Sequence, residues 1–211
     1  MSRVVTHIFY LANTKLLLTM KISVIGLGYL GTTHAVAMAQ LGHNVIGIEP
    51  DSSRVQALKA GNLPFFEPGL EDALRQAISS GKISFQSHHD DLSAASDIHF
   101  ICVGTPQISG QQSADTSYVF AAAGQLAAVL KPSSLVVGKS TVPVGTARHL
   151  ITKMQEVSGF VPRLCWNPEF LREGTALADS MLPDRIVIGS DDPEYNHALK
   201  GCYQTMIDQG I

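Results

Sequence analysis

The sequence predicts a doubly wound α/β domain, in which a mostly parallel sheet of the Rossmann type carries helices on both faces. Short apolar runs rich in Val and Ile alternate with segments of helical length along most of the chain. The run at residues 97–103 is nearly continuous in apolar residues, which is typical of a parallel strand buried on both faces. Repeated β-α-β order predicts right-handed crossovers, and therefore one sheet between two helical layers.

Local signals predict the individual elements in chain order. Short apolar runs predict strands at residues 22–25, 44–48, 83–85, 97–103, 135–138, 163–166 and 185–188. Longer segments, many bounded by a capping residue or a glycine, predict helices at residues 32–41, 51–60, 70–80, 115–130, 146–155 and 193–206. We expect Asp51 or Ser52 to cap the second helix, and Gly42 and Gly81 to end the first and third.

The bulk composition excludes several classes of protein. Of the 211 residues, 45% are hydrophobic and 16% are charged, which is typical of a globular protein with a real core. The net charge of −3 and the lack of a Lys/Arg run predict neither a nucleic-acid partner nor a membrane partner. Cys102, Cys165 and Cys202 are too sparse for a disulfide framework and favour a reducing, cytoplasmic compartment. No histidine or cysteine group has metal-ligand spacing, so no metal site is predicted.

The string GLGYLG at residues 26–31 matches the dinucleotide-binding fingerprint G-x-G-x-x-G. Alone it is a weak signal, because glycine-rich turns are common. Here it follows a strand and opens a helix, and Glu49 ends the next strand near the expected spacing of about 20 residues. Gly26 permits the tight turn, Gly28 lets a pyrophosphate approach the backbone, and Gly31 lets the helix pack closely. The helix N-terminus then offers N–H groups to the phosphates.

The acidic residue favours NAD over NADP as the cofactor. A carboxylate at Glu49 accepts hydrogen bonds from a ribose hydroxyl and repels a 2′-phosphate. Arg54 lies one helical turn further on and complicates this preference. The alternative interpretation is a structural glycine turn with a solvated glutamate.

Two further strings follow neighbouring predicted strands. VGTP at residues 103–106 ends the buried strand at residues 97–103, and KSTVPVGT at residues 139–146 follows the strand at residues 135–138. Ligands of open parallel sheets bind beyond the carboxyl ends of the strands, so the two strings together predict a shared site. For either string alone, a turn that needs Gly, Pro and Thr for its geometry is an equal alternative.

The string NPEFLREG at residues 167–174 follows the predicted strand at residues 163–166. If this segment is helical, Glu169 and Glu173 face the same side, and with Arg172 they form a group suited to acid–base and binding roles. The alternative is an ordinary helix start with glutamates near its N-terminus, which the spacing alone favours.

Taken together, these strings resemble the UDP-glucose/GDP-mannose dehydrogenase family. The resemblance spans nearly everything from Met20 to Gly189. The strings that carry it are GLGYLG at 26–31, LPFFEPGLEDAL at 63–74, VGTP at 103–106, KSTVPVGT at 139–146, NPEFLREG at 167–174 and PDRIVIG at 183–189. Within the family, the last string favours UDP-glucose as the substrate over GDP-mannose and UDP-N-acetylmannosamine.

The resemblance implies a two-step, NAD-dependent oxidation of the C6 alcohol of UDP-glucose to the carboxylate, through a cysteine thioester. Glu169 is the implied general acid/base that activates water on the thioester, and Thr141 helps to hold that water. The residues implied to contact NAD are Gly26, Leu27, Gly28, Tyr29, Leu30, Gly31, Glu49, Arg54, Gly104, Thr105, Pro106, Ser140, Thr141, Val142 and Glu173. The residues implied to line the sugar-nucleotide site are Glu169, Phe170, Leu171, Arg172 and Glu173.

The sequence departs from the family pattern at two points. Glu49 stands where the family usually has aspartate, and its longer side chain shifts the ribose while keeping the role. The family nucleophile lies in a Cys-x-Pro-Lys-Asp motif, which this chain does not contain, and we expect that motif beyond residue 211. We therefore expect the chain to be the NAD-binding portion of the enzyme, without its catalytic cysteine.

The same expectation sets the domain boundaries. Met20 directly precedes the first strand, so we expect it to be the native start, with residues 1–19 an extension outside the core. Residues 20–190 form the expected NAD-binding domain, and residues 191–211 begin a connector helix to a second domain. The full-length enzyme is expected to be a homo-oligomer. The alternatives are an isolated dinucleotide-binding fragment without turnover, a GDP-mannose or UDP-N-acetylmannosamine 6-dehydrogenase, or a hydroxyacid dehydrogenase that shares the Rossmann half.

Overall fold

The computed structural model describes residues 19–211 and contains a six-stranded sheet in which every strand runs parallel to its neighbours. The strands are β1 (Lys21–Ile25), β2 (Asn44–Ile48), β3 (Ile83–Gln86), β4 (Ile98–Ile101), β5 (Leu135–Gly138) and β6 (Arg163–Trp166). The helices are α1 (Tyr29–Gln40), α2 (Ser52–Lys59), α3 (Leu70–Ser79), α4 (Asp91–Ala94), α5 (Ser117–Ala127), α6 (Thr146–Ser158), α7 (Ala176–Met181), α8 (Pro193–Cys202) and α9 (Gln204–Ile207).

The strand order is β3-β2-β1-β4-β5-β6, so the order reverses between β1 and β4. Helices α1, α3 and α8 contribute to the core on one face of the sheet, and α5 and α6 contribute to the core on the other. The two layers confirm the predicted doubly wound architecture. In such a sheet the crevice at the reversal point is the usual ligand site, and the turn between β1 and α1 lies there.

One predicted strand, at residues 185–188, is wrong. This segment has no ladder and meets the sheet at one antiparallel bridge, in which Trp166 and Gly189 exchange both backbone hydrogen bonds at 2.7 and 2.8 Å. The Asn167 side chain donates to the Val187 carbonyl oxygen at 2.7 Å. Because a side chain occupies a carbonyl that a ladder would use, the apolar run is held against the edge of the sheet without becoming a strand.

The predicted final helix is divided into α8 and α9 at Tyr203, whose backbone leaves the helical region. Leu199, Cys202, Tyr203 and Met206 are buried in the same core as α1. The predicted connector role of residues 191–211 stays a prediction, but in this structure the segment packs onto the domain.

The predicted N-terminal extension falls almost wholly on residues 1–18, which lie outside the described residues. Met20 is buried in the core, and its N–H donates to Nδ1 of His43 at 3.2 Å. In residues 19–211, no helix combines the length and apolar character needed to cross a bilayer. The same residues contain no group of three or more His, Cys, Asp or Glu side chains placed to hold a metal ion.

His99 makes the stability of this fold dependent on pH. It is buried in β4, and Ser23 Oγ lies 2.6 Å from its Nδ1. Burial lowers the pKa of His99 to about 3, and the nearby charges of His89 and Lys131 act in the same direction. Between pH 6.5 and about 3, the unfolded chain therefore binds a proton at His99 that the folded chain excludes. The contribution of neutral His99 to the free energy of unfolding is complete above pH 6.5 and is lost as the pH falls.

We expect the His99→Asn variant to lose less thermal stability on acidification than the wild type, because Asn keeps a polar group near Ser23 but cannot titrate. At pH 5, the exclusion of this proton by the folded chain lowers the free energy of unfolding by about 2 kcal/mol. Melting temperatures measured between pH 7 and pH 5 test this, with His149→Asn on the exposed face of α6 as the matched control. Equal pH dependence in both variants would contradict the assignment.

Candidate functional site

The glycine-rich turn between β1 and α1 has the geometry that a dinucleotide requires. Gly26 has a φ of 87°, a conformation that favours glycine, and a Cβ there would lie 2.8 Å from Cγ1 of Val103. A Cβ on Gly31 would lie 1.8 Å from the Gly26 carbonyl oxygen. At Gly28, by contrast, no atom of the described chain beyond its immediate neighbours lies within 4 Å of the Cβ position. The turn therefore has no room for a side chain at Gly26 or Gly31, but it has room beside Gly28.

The open glycine is also the N-cap of α1. Gly28 makes no side-chain capping bond, and the first helical hydrogen bond runs from the Thr32 N–H to the Gly28 carbonyl at 3.0 Å. The N–H groups of Tyr29, Leu30 and Gly31 precede that bond, so they belong to the first turn, which has no acceptors within the helix. Unpaired N–H groups and the positive end of the helix dipole suit an anion such as a pyrophosphate.

Glu49 lies beside the glycine turn and directly follows the last residue of β2. Its Oε2 accepts from the Leu27 N–H at 2.9 Å and from Nη1 of Arg54 at 3.1 Å, and its Oε1 accepts from the Asp51 N–H at 3.1 Å. These donors hold a buried carboxylate beside the glycine turn. Arg54 is therefore paired with Glu49 in this structure rather than free to attract the 2′-phosphate of NADP.

The loops that follow β4, β5 and β6 are joined by hydrogen bonds. The Ser140 hydroxyl donates to the Val103 carbonyl at 2.6 Å, and Nε1 of Trp166 donates to the Ser140 carbonyl at 3.0 Å. The Thr105 hydroxyl donates to the Thr141 carbonyl at 2.8 Å. VGTP and KSTVPVGT thus lie side by side at the carboxyl edge of the sheet, next to the glycine turn that packs on Val103.

The NPEFLREG segment is not helical, so the expectation that Glu169 and Glu173 share a helical face is wrong. Residues 167–172 have no regular secondary structure, residues 173–175 form a turn, and α7 begins only at Ala176. Asn167 precedes proline, which disfavours the helical conformation at that residue. The Glu169 Oε2 accepts from the Leu171 N–H at 2.6 Å, a local bond that competes with helix formation.

A cavity of about 140 Å³ lies between α1, the NPEFLREG segment and the final helices. Of the predicted sugar-site residues, four line it, namely Glu169, Phe170, Leu171 and Arg172. Glu173 is exposed and Thr141 follows β5, and both lie outside that lining. Leu30 of the glycine turn lines the same cavity, which brings the predicted cofactor and sugar sites together.

A polar cluster in the cavity wall was not predicted. Nζ of Lys139 donates to Oδ1 of Asn167 at 2.9 Å, and the Tyr203 hydroxyl donates to the same oxygen at 2.8 Å. Burial lowers the pKa of Lys139, although negative groups that include Glu169 act in the opposite direction. Nε2 of His34 is buried without a hydrogen-bond partner in the described part of the chain. Lys139 stands in the KSTVPVGT string, but nothing in that string distinguishes a buried lysine from an exposed one.

Glu67 is a second residue that the sequence analysis did not single out. Its Oε2 accepts from the Tyr29 hydroxyl at 2.5 Å and from the Gly174 N–H at 2.9 Å, and its Oε1 accepts from the Ala176 N–H at 2.8 Å. Burial opposes ionisation, but these donors outweigh it and hold the pKa of Glu67 below its usual value. Burial and Glu67 together raise the pKa of Tyr29 to about 12. The LPFFEPGLEDAL string contained Glu67 without indicating its partners.

Comparison with known proteins gives a consistent set of matches. Residues 20–207 match the family model described as the UDP-glucose/GDP-mannose dehydrogenase family, NAD binding domain. The UDP-glucose 6-dehydrogenase of Rhizobium meliloti (strain 1021) is 45% identical over 173 residues, which are 82% of this chain and 40% of that protein. The chain thus spans about two fifths of the length of the curated relatives that it matches.

Solved structures of related dehydrogenases match the same part of this chain. A UDP-glucose dehydrogenase from the hyperthermophilic archaeon Pyrobaculum islandicum is similar with a TM-score of 0.85 and 43% identity, over 91% of this chain and 45% of that one. A ternary complex of GDP-mannose dehydrogenase from Pseudomonas aeruginosa has a TM-score of 0.84 and 33% identity, over 89% of this chain and 44% of that one. The similarity therefore covers the domain described above and less than half of each relative.

Proposed function

Because the chain belongs to the UDP-glucose/GDP-mannose dehydrogenase family, we propose that it is the NAD-binding part of an enzyme that oxidises the C6 alcohol of UDP-glucose to the carboxylate. One observation carries the proposal. Leu30 of the glycine turn and Glu169 line the same cavity, so a nicotinamide cofactor in the turn and a sugar beside Glu169 would meet there. Reactions of this type require such adjacency, because the reacting atoms have to be held in contact.

The residues at the turn fit NAD. The open backbone at Gly28 and the N-terminus of α1 suit the pyrophosphate, and the Glu49 carboxylate suits a ribose hydroxyl. We further propose that the linked loops at Thr105 and Ser140 border the rest of the cofactor. NAD, when bound, supplies the hydride acceptor for both oxidation steps.

Glu169 is the proposed acid/base in the hydrolytic step. Water adds to the carbonyl carbon of the sugar thioester, its proton passes to the Glu169 carboxylate, and the cysteine thiolate leaves. The Leu171 N–H orients the carboxylate, and the Lys139 side chain lies in the same cavity wall. Thr141, whose carbonyl is fixed by Thr105, is the proposed second holder of that water.

The chain's own cysteines do not suit the nucleophile of this reaction. Cys102, Cys165 and Cys202 are buried, and burial raises the pKa of each thiol to about 12. A thiol with so high a pKa holds almost no thiolate at neutral pH. The proposal therefore assigns the thioester to a cysteine outside these positions. The three free thiols also suit a cytoplasmic location, which stays a prediction, as does a homo-oligomeric full-length enzyme.

The choice of sugar is tested by a substrate panel on the gene product that carries this domain, with NADH formation followed by absorbance. We expect kcat/KM for UDP-glucose to exceed that for GDP-mannose and UDP-N-acetylmannosamine at least about tenfold, with two NADH formed per sugar because the alcohol is oxidised twice. A 2-hydroxy acid serves as the negative control. Preference for another member of the panel would overturn the proposed substrate.

A further inference from the structure

Glu67 connects two parts of the site that are far apart in the sequence. It lies between α2 and α3 with only 3% of its surface exposed, and it accepts hydrogen bonds from both sides. On one side the donor is the Tyr29 hydroxyl, and on the other the donors are the backbone N–H groups of Gly174 and Ala176. A buried carboxylate cannot leave such donors without a large desolvation penalty, so the three groups are held to it as a unit.

The first side of this unit belongs to the cofactor turn. Tyr29 is the first residue of α1, and its backbone is part of the predicted pyrophosphate cradle. Its ring packs on Phe65 with the ring centroids 5.0 Å apart, which restricts the side chain. A ligand that orders the backbone at Tyr29 therefore also orders the hydroxyl that Glu67 accepts.

The second side belongs to the cavity. Gly174 is the last residue of the NPEFLREG segment, and Ala176 is the first residue of α7. From α7, Asp179 accepts two hydrogen bonds from the Arg172 guanidinium, at 3.1 and 2.6 Å, and a third from the Arg172 N–H at 3.0 Å. Arg172 lines the cavity. Hydrogen bonds and the backbone of α7 thus connect the glycine turn through Glu67 to the cavity wall.

We propose that Glu67 is a positioning residue that couples occupancy of the NAD cradle to the placement of the cavity-lining segment at residues 169–172. This inference rests on the proposed function, since it assigns NAD and sugar to the two ends of the unit. A ligand that orders one end lowers the entropic cost of ordering the other, so the two ligands assist each other's binding, reciprocally.

The test is amide hydrogen exchange by NMR on the 211-residue chain, with and without saturating NAD. In the wild type, we expect NAD to slow exchange of the Gly174 and Ala176 amides. In Tyr29→Phe, which removes only the hydroxyl, we expect this NAD-dependent slowing to be smaller by about threefold to tenfold, the range that corresponds to one hydrogen bond. Tyr118→Phe, which removes an exposed hydroxyl on α5, is the matched control and should behave as wild type.

The ratio of exchange rates with and without NAD separates coupling from a merely structural role. If Glu67 only supported α7, Tyr29→Phe would change exchange equally in both conditions, and the coupling would be overturned. Glu67→Gln, which keeps one acceptor oxygen at similar volume, provides a second variant and should show an intermediate ratio. Failure of the wild type to bind NAD would overturn the proposed function and the coupling together, whereas binding with equal slowing in all variants overturns the coupling alone.

Discussion

Gly28→Val is expected to weaken NAD binding at least about 100-fold while the domain stays folded. The valine Cβ would occupy the open space over the first turn of α1, where the proposed site for the pyrophosphate lies. No atom of the described chain beyond the immediate neighbours of Gly28 lies within 4 Å of that Cβ position, and the φ of −71° suits any residue. A loss of this size corresponds to about 2.8 kcal/mol of binding free energy. Calorimetric titration measures it, and the melting temperature of the variant reports that the fold is intact.

Gly28→Ala is the graded control for this experiment. Its smaller side chain should weaken binding less than valine does, because it fills less of the space over the N–H groups. Titration of the wild type with NADP should give weaker binding than NAD, since the Glu49 carboxylate at the mouth of the turn repels a 2′-phosphate. If the valine variant bound NAD as tightly as the wild type, the pyrophosphate would not lie at this turn.

The features that the sequence predicted correctly are those encoded locally. The strands from β1 to β6 are short apolar runs, and a run such as β4, buried at every position, carries its own signal. The glycine turn is likewise contained in six consecutive residues, each glycine of which has a separate steric reason. Local patterns were therefore sufficient for the sheet and for the cofactor turn.

The two wrong predictions of secondary structure concern segments in which a side chain bonds to a backbone group that a strand or a helix would use. Residues 185–188 have the composition of a strand, but the Asn167 side chain takes the Val187 carbonyl and only one bridge forms. Glu169 and Glu173 have helical spacing, but the Leu171 N–H bonds to the Glu169 side chain, and residues 167–172 have no regular secondary structure. Propensity and spacing do not report which side chain will bond to which backbone group, and those bonds decided both segments.

The residues that were missed depend on distant partners. Glu67 accepts from an N–H that is 107 positions away, and Lys139 bonds to Asn167 across 28 positions. Each has the residue type of an ordinary surface side chain, and each is buried only because the fold brings donors or acceptors to it. A charged residue inside a string of specific sequence is the signal that would have marked them for inspection.

Gly31→Ala is expected to cause the largest loss of stability among single substitutions in the turn. An added Cβ would lie 1.8 Å from the carbonyl oxygen of Gly26 and 3.2 Å from Cβ of Cys102. Neither neighbour is the end of a flexible side chain, so the backbone of α1 or of the turn has to move. Overpacking of this kind costs about 3 kcal/mol, which lowers the melting temperature of a domain of this size by about 6–12 °C.

Gly124→Ala is the matched control, because Gly124 is also inside a helix but, apart from its chain neighbours and the adjacent backbone of that helix, no atom of the described chain lies within 4 Å of its Cβ position. There the same substitution should stabilise the domain by about 0.5–1 kcal/mol, since it restricts the unfolded chain and improves helix propensity. Thermal unfolding of the two variants should therefore shift in opposite directions. A Gly31→Ala variant that melts at the wild-type temperature would show that α1 does not approach β1 as closely as the structure indicates, and the tight turn over the cofactor site would have to be reconsidered.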